Sequence, residues 1–317
     1  DLAAHRSHQE TYARLRHCQA PSSLLDYQVS CWFTKPKCII QLGAFGDLII
    51  LLPTFREIYN RTGQKPNIIV SDKYASVLDG VSYVTPYPIP VHWVDGMEEA
   101  KRFAKEQFGE FVIPIWWNDK TFVVPPKYRG SFILQYNGRT YGINRSIWPN
   151  FMVSMWERLG FTQEEMMTLP LVFDLRTIRP TTVRKKPLLL YNFTGISSPF
   201  GYLDAVWPVL QGFSRDFQIV DLGKIKAPRI YDLLDLYDEA VGLLTCDTAT
   251  LQLASASTVP YIAWTQNGFL GSTPRGNCVL QIPYDQTLRR LTEVRKALEL
   301  WRNAVAQRSP LLVSQHA

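Results

Sequence analysis

The sequence predicts an α/β protein of two Rossmann-like domains facing across a cleft. Three observations carry this reading. Residues 37–56, KCIIQLGAFGDLIILLPTFR, read as strand, glycine turn and helix. Short runs rich in β-branched residues then alternate with helical stretches, the signature of βαβ units and a parallel sheet. After a break rich in proline and basic residues (residues 166–186), the same alternation starts again, and strands in both halves end in polar turns.

The opening unit organises the first half. Cys38 to Leu42 is an apolar run that reads as a buried strand. Gly43 and Gly46 let the chain turn sharply and admit a ligand close to the backbone. In an open parallel sheet such a turn lies at the carboxyl edge, where ligands bind. Asp47 follows at a helix N-terminus, so two readings stand: a helix cap, or an acid–base group at the mouth of a cleft. The runs at 66–70 and 81–87 read as further strands, with a short helix at 72–78 between them. The stretch at 98–108 reads as an amphipathic helix, and the run at 111–116 as an edge strand weakened by Pro114. Residues 127–150 lack periodicity and read as loops over the cleft, where Arg129, Arg139 and Arg145 could meet an anionic substrate. A helix at 151–159 stops at Gly160.

The expected division is an N-terminal extension (residues 1–36), a first domain (37–165), a linker (166–186), a second domain (187–286), and a C-terminal helix and tail (287–317). In the second domain the runs at 188–191, 217–222, 240–244 and 259–264 read as strands. Helices are expected at 203–213, 230–237 and 249–257. A long amphipathic helix at 288–305 is expected to return and brace the first domain. Asn192, Thr194 and Gly195 form the turn after the first of these strands, with Ser197 and Ser198 beyond. Asp247 and Thr248 form the turn after the third. Asp247 with Thr248 and Thr250 also reads as an ordinary N-cap, and Asn192 and Thr194 as ordinary turn residues. A dinucleotide-binding reading of the Gly43–Gly46 turn ranks low, because the third glycine is missing and no acidic residue clearly ends the second strand.

Composition narrows the class. The 317 residues are 46% hydrophobic and 20% charged, enough for two medium cores. No apolar run approaches the roughly 20 residues of a membrane helix. Five scattered cysteines show neither a CxxC pair nor a cysteine–histidine metal pattern, so no metal is expected and a reduced, cytoplasmic setting is. The net charge of +6 favours anionic partners such as nucleotide phosphates, nucleic acid or lipid headgroups, the last placing the protein peripherally at the inner membrane face.

Three stretches resemble a known family. Residues 42–47 with Pro53 and Arg56 look like the first turn and helix of the ADP-heptose:lipopolysaccharide heptosyltransferases (glycosyltransferase family 9). Residues 150–160 are similar to the helix closing that family's first domain. Residues 241–264, VGLLTCDTATLQLASASTVPYIAW, look like its donor-site strand, turn, alanine-rich helix and following strand. The resemblance implies the two-domain GT-B fold and inverting, metal-independent transfer of a sugar from a nucleotide-sugar, which is a co-substrate and not a resident cofactor. It implies Asp47 as the base, with Asn192, Thr194, Gly195, Ser197, Ser198, Asp247, Thr248, Ala249 and Gln252 around the donor. A saccharide is the implied acceptor.

The chain departs from the family at three places. Ala249 stands where the family has a glycine and Gln252 where it has a histidine, and Ser197-Ser198-Pro199 lacks the expected lysine. These positions help hold donor phosphates and sugar in the family. A changed donor, a modified DNA base as acceptor, and a nucleotide-sugar-binding protein without turnover therefore all stand as readings.

Overall fold

The computed structural model describes residues 38–91, 93–114, 132–136, 139–143, 151–179, 184–195, 199–266 and 272–308. The N-terminal extension, Arg129, Arg145, Ser197 and Ser198 lie outside them, and Arg139 is described only as the first residue of a strand.

Strand β1 (Cys38–Gln41) is buried at every position, as expected of an apolar run inside a parallel sheet. Helix α1 (Phe45–Thr62) follows within three residues, and its leucine- and isoleucine-rich first half is buried. Gly63 ends it in the left-handed conformation, φ 69°, its N–H returning to the Tyr59 carbonyl at 2.8 Å. Strands β2 (Asn67–Ser71), β3 (Thr85–Ile89) and β4 (Phe111–Val112) complete a parallel sheet of order β3-β2-β1-β4. Helix α2 (Trp93–Phe108) packs on it. The helix expected at 72–78 is a 3-10 segment, Asp72–Gly80. Pro114 limits β4 to two residues, the effect expected of a residue without an N–H. Within the expected loops over the cleft, β5 (Phe132–Tyr136) and β6 (Arg139–Ile143) form an antiparallel pair. Helices α3 (Phe151–Arg158) and α4 (Gln163–Thr168) follow. Thr162 and Glu165 cap α4 reciprocally, and Met166 reaches the core.

The second sheet is also fully parallel. Its strands are β7 (Leu188–Asn192), β8 (Gln218–Asp221), β9 (Ala240–Cys246), β10 (Tyr261–Thr265) and β11 (Cys278–Pro283), in the order β11-β10-β9-β7-β8. Sequence reading missed β11, an edge strand whose alternating exposure dilutes its apolar signal. Helices α5 (Leu203–Gly212), α6 (Leu234–Glu239) and α7 (Ala249–Leu253) join these strands. The chain closes with α8 (Leu291–Arg308).

Helix α8 corrects one expectation. It braces the second domain, not the first: Val294, Leu298 and Trp301 share a core with Val206, Val209 and Leu210 of α5. Gly242 of β9 makes the contact close. A Cβ there would lie 2.3 Å from the Trp301 ring, so only a glycine lets the indole rest on the strand. An amphipathic pattern defines a buried face but not which apolar surface covers it.

The two sheets share a hydrophobic core. One continuous cluster runs from Ile39, Leu51 and Phe55 through Trp156 and Phe173 to Tyr231, Leu190, Leu243 and Leu251. Helix α1 of the first domain packs directly on α7 of the second.

Candidate active site

Both sheets reverse strand order beside one of the polar turns singled out in the sequence. In the first, β1 lies between β2 and β4. In the second, β7 lies between β8 and β9. The carboxyl ends of β1, β7 and β9 therefore sit at topological switch points, the crevices where open α/β sheets bind ligands. The α1–α7 contact brings these edges together. A Cβ added at Gly46 would lie 3.5 Å from the Ala249 Cα, so the two turns are already in near-contact.

Asp47 stands at the start of α1. Its Oδ2 accepts the Ala44 N–H at 2.9 Å, so the helix-cap reading is correct as far as it goes. Ala44 itself has no side-chain oxygen to return a bond, and no partner of Oδ1 is found among the described residues. Burial pushes the Asp47 carboxyl up to about 7 against the Ala44 hydrogen bond, and the nearby Asp247 charge raises it further. Capping and proton transfer are thus compatible: one oxygen is held, the other is available.

Gln41, which sequence reading passed over, sets this turn. It is fully buried at the end of β1. Its Oε1 accepts the Gly43 N–H at 3.3 Å, and its Nε2 lies 3.5 Å from the Asp47 carbonyl. A glutamine closing an otherwise apolar strand is the signal that could have found it, because a buried amide must find backbone partners.

Asp247 proves not to be the cap of α7. Thr248 occupies that position, without a side-chain cap bond. The buried Asp247 carboxylate instead anchors the chain between β10 and β11: Oδ2 accepts the Ser272 N–H at 3.0 Å, with support from the Ser272 hydroxyl and the Gln266 backbone. Burial outweighs these bonds and raises the carboxyl to about 6.

A hydroxyl network joins the two turns of the second sheet. Thr250 is its hub. Its Oγ1 accepts from Asn192 Nδ2 at 3.1 Å and lies 2.8 Å from Thr245 Oγ1 and 2.7 Å from Thr248 Oγ1. Asn192 Oδ1 in turn accepts from the Thr194 N–H at 2.9 Å and the Thr194 hydroxyl at 2.6 Å. Asn192, Thr194, Thr248 and Asp247 are therefore brought to one edge, with Ala249 and Gln252 on the short helix behind it. Gln252 is buried. Gly195 ends the described part of its turn.

The two raised carboxyls give a pH dependence of stability with a definite sign. Both hold a proton more tightly folded than at their ordinary value of 3.8. Between about pH 4 and pH 7 the folded chain binds more protons than the unfolded one, so their contribution to stability falls as pH rises through this window. The urea midpoint should therefore drop between pH 4 and pH 7 more steeply in the native chain than in the D47N/D247N double variant. Equal slopes would show that neither group is desolvated as described.

No family model matches the sequence, and no curated protein matches it. Among solved structures, the chain is similar to the E. coli heptosyltransferase WaaC with ADP, at 9% identity and a TM-score of 0.52, covering 83% of this chain and 99% of that one. It is also similar to the E. coli ADP-heptose lps heptosyltransferase II, at 12% identity and a TM-score of 0.50, covering 84% of this chain and all of that one. At such identities the likeness is one of fold, and the fold it shows is GT-B: two Rossmann-like domains built on parallel sheets.

Proposed function

We propose that the chain is an inverting, metal-independent glycosyltransferase that moves a sugar from a nucleotide-sugar to a hydroxyl acceptor, most simply a saccharide. The observation that carries this reading is the Asp47 carboxyl, held at the β1 switch point by one oxygen and pushed up to about 7 by burial. A general base is most effective when its pKa lies near the working pH, and this group meets that condition. In the proposed step the free Oδ1 takes the acceptor hydroxyl proton as the oxygen attacks the anomeric carbon, and the nucleoside diphosphate leaves from the opposite face. The Asn192–Thr194 and Asp247–Thr250 turns, with their backbone N–H groups and hydroxyls, are the proposed donor contacts. Two structural neighbours support the donor class: WaaC is described with ADP, and heptosyltransferase II as an ADP-heptose enzyme.

A second reading is a nucleotide-sugar-binding protein without turnover. The near-contact of Gly46 with the Ala249 backbone favours it, since it leaves little room between the two turns.

A thermal-shift screen against ADP-, UDP-, GDP- and CDP-sugars, with and without EDTA, tests both. A true donor raises the midpoint with concentration, by mass action. A hit insensitive to EDTA, followed by sugar transfer to an added acceptor, is expected. Binding without any transfer would favour the second reading, and no shift with any nucleotide would remove both.

A further inference from the structure

The second domain holds a buried cation that the proposed chemistry has not yet used. Arg275 lies in the segment between β10 and β11, three residues beyond the Ser272 that Asp247 anchors. It is only 6% exposed, and its Nε, Nη1 and Nη2 all lack a hydrogen-bond partner among the described residues. Arg158, the other arginine buried among the described residues, donates to the Ile113 carbonyl at 2.7 Å, and the half-buried Arg176 and Arg184 meet Asp235, Asp238 and Glu239 at 2.7–2.9 Å. Arg275 instead has the face of Trp156, 5.4 Å from its guanidinium carbon. Such a cation–π contact recovers a fraction of what removing an isolated ion from water costs. Consistently, burial pulls the group down to about 10.

The residue is held in place on both sides. The Tyr261 hydroxyl donates to the Arg275 carbonyl, and Gly276 turns the chain at φ 77° against Ser255. Trp156 is fixed in turn by its Nε1 bond to the Ile50 carbonyl at 3.1 Å, one turn of α1 beyond Asp47. The guanidinium therefore sits in the seam between the domains, with the Arg275 backbone at the end of α7 away from the sheet-edge turns. Those turns (residues 42–47, 192–195 and 246–250) contain no lysine or arginine, and their only charged residues are Asp47 and Asp247. An anion arriving at this edge finds no cation on the turns themselves.

We propose that Arg275 is an oxyanion-binding residue whose ligand is a phosphoryl group, taken up in the seam against Trp156. A planar guanidinium fork presents parallel N–H donors that match two phosphoryl oxygens. The ligand enters when the domains part, and the closed arrangement forms around it. The proposal rests on the glycosyl-transfer reading only for the source of that group, a nucleotide-sugar diphosphate; free phosphate or diphosphate has the same chemistry.

The test is thermal denaturation of the full chain with inorganic phosphate, inorganic diphosphate, ADP and UDP as probes, set beside R275M and R275K. Without added anion, R275M should melt no lower than the native chain, because it removes an uncompensated buried charge. With diphosphate the native midpoint should rise with concentration, R275K should show a smaller rise and R275M none. Equal rises in the native chain and R275M, or no rise in the native chain with any probe, would overturn the site. If R275M fails to fold, the R275K comparison alone decides, since retention of the full rise would rule out the fork. A rise with the inorganic anions but not with ADP or UDP would keep the anion site and overturn its assignment to the donor. None of these readouts requires turnover, so absence of transfer would overturn the enzymatic reading and leave Arg275 standing.

Discussion

Replacing Asp47 by asparagine should lower turnover by about 10²- to 10⁴-fold, the range contributed by a positioned general base, while donor affinity stays unchanged. The substitution isolates the chemistry. Asparagine keeps a side-chain oxygen that can accept the Ala44 N–H, so the start of α1 stays capped. It cannot take a proton from an acceptor hydroxyl. The donor found by thermal shift supplies the binding assay, and sugar transfer supplies the rate. In the native chain kcat/KM should rise with pH through the Asp47 value of about 7, because the base acts only when deprotonated. Asp247 lies close enough to influence Asp47, so the profile reports the pair and not one residue. A variant that turns over at the native rate would leave Asp47 a cap and remove the proposed mechanism.

Trp156→Ala should be the most damaging single change to stability, costing about 3–5 kcal/mol. The indole is fully buried, donates to the Ile50 carbonyl at 3.1 Å and faces the Arg275 guanidinium. Its removal opens a cavity and strips the buried cation of its cation–π contact. Because Trp156 belongs to the cluster that reaches both sheets, the loss should appear as one lowered urea midpoint, seen alike by circular dichroism and by fluorescence. Two separated transitions in the native chain would show that the domains unfold independently, and that the shared core does not couple them.

Much of the architecture was legible because it rests on local rules. β1 and β9 are short apolar runs that a parallel sheet buries on both faces. Gly43 and Gly46 mark the tight turn, and Asp47 carries the signature of a first helical turn. Errors arose where an element depends on its neighbours. The expected helix at 230–237 divides into a 3-10 segment, Ile230–Leu233, and α6, and the helix at 249–257 into α7 and a 3-10 turn, Ala254–Ala256. Hydrophobic periodicity does not distinguish these helix types over one or two turns. The edge strand β11 escaped because half of it faces outward.

By itself the sequence determined the order of most strands and helices, the polar turns that end the strands and the chemical types on those turns: carboxylates and hydroxyls, with no lysine or arginine. These follow from side-chain period, backbone conformation and composition, which are properties of neighbouring residues along the chain. Only the tertiary structure decided that the Asp247 charge acts on Asp47, that Thr250 links Asn192 to the opposite turn, that α8 braces the second sheet, and that Arg275 lies buried without a carboxylate partner among the described residues. The physical reason is the same for all four. A proton affinity, a hydrogen-bond network and an uncompensated charge are set by burial and by partners tens or hundreds of residues away, and no local pattern encodes which distant surface will supply them.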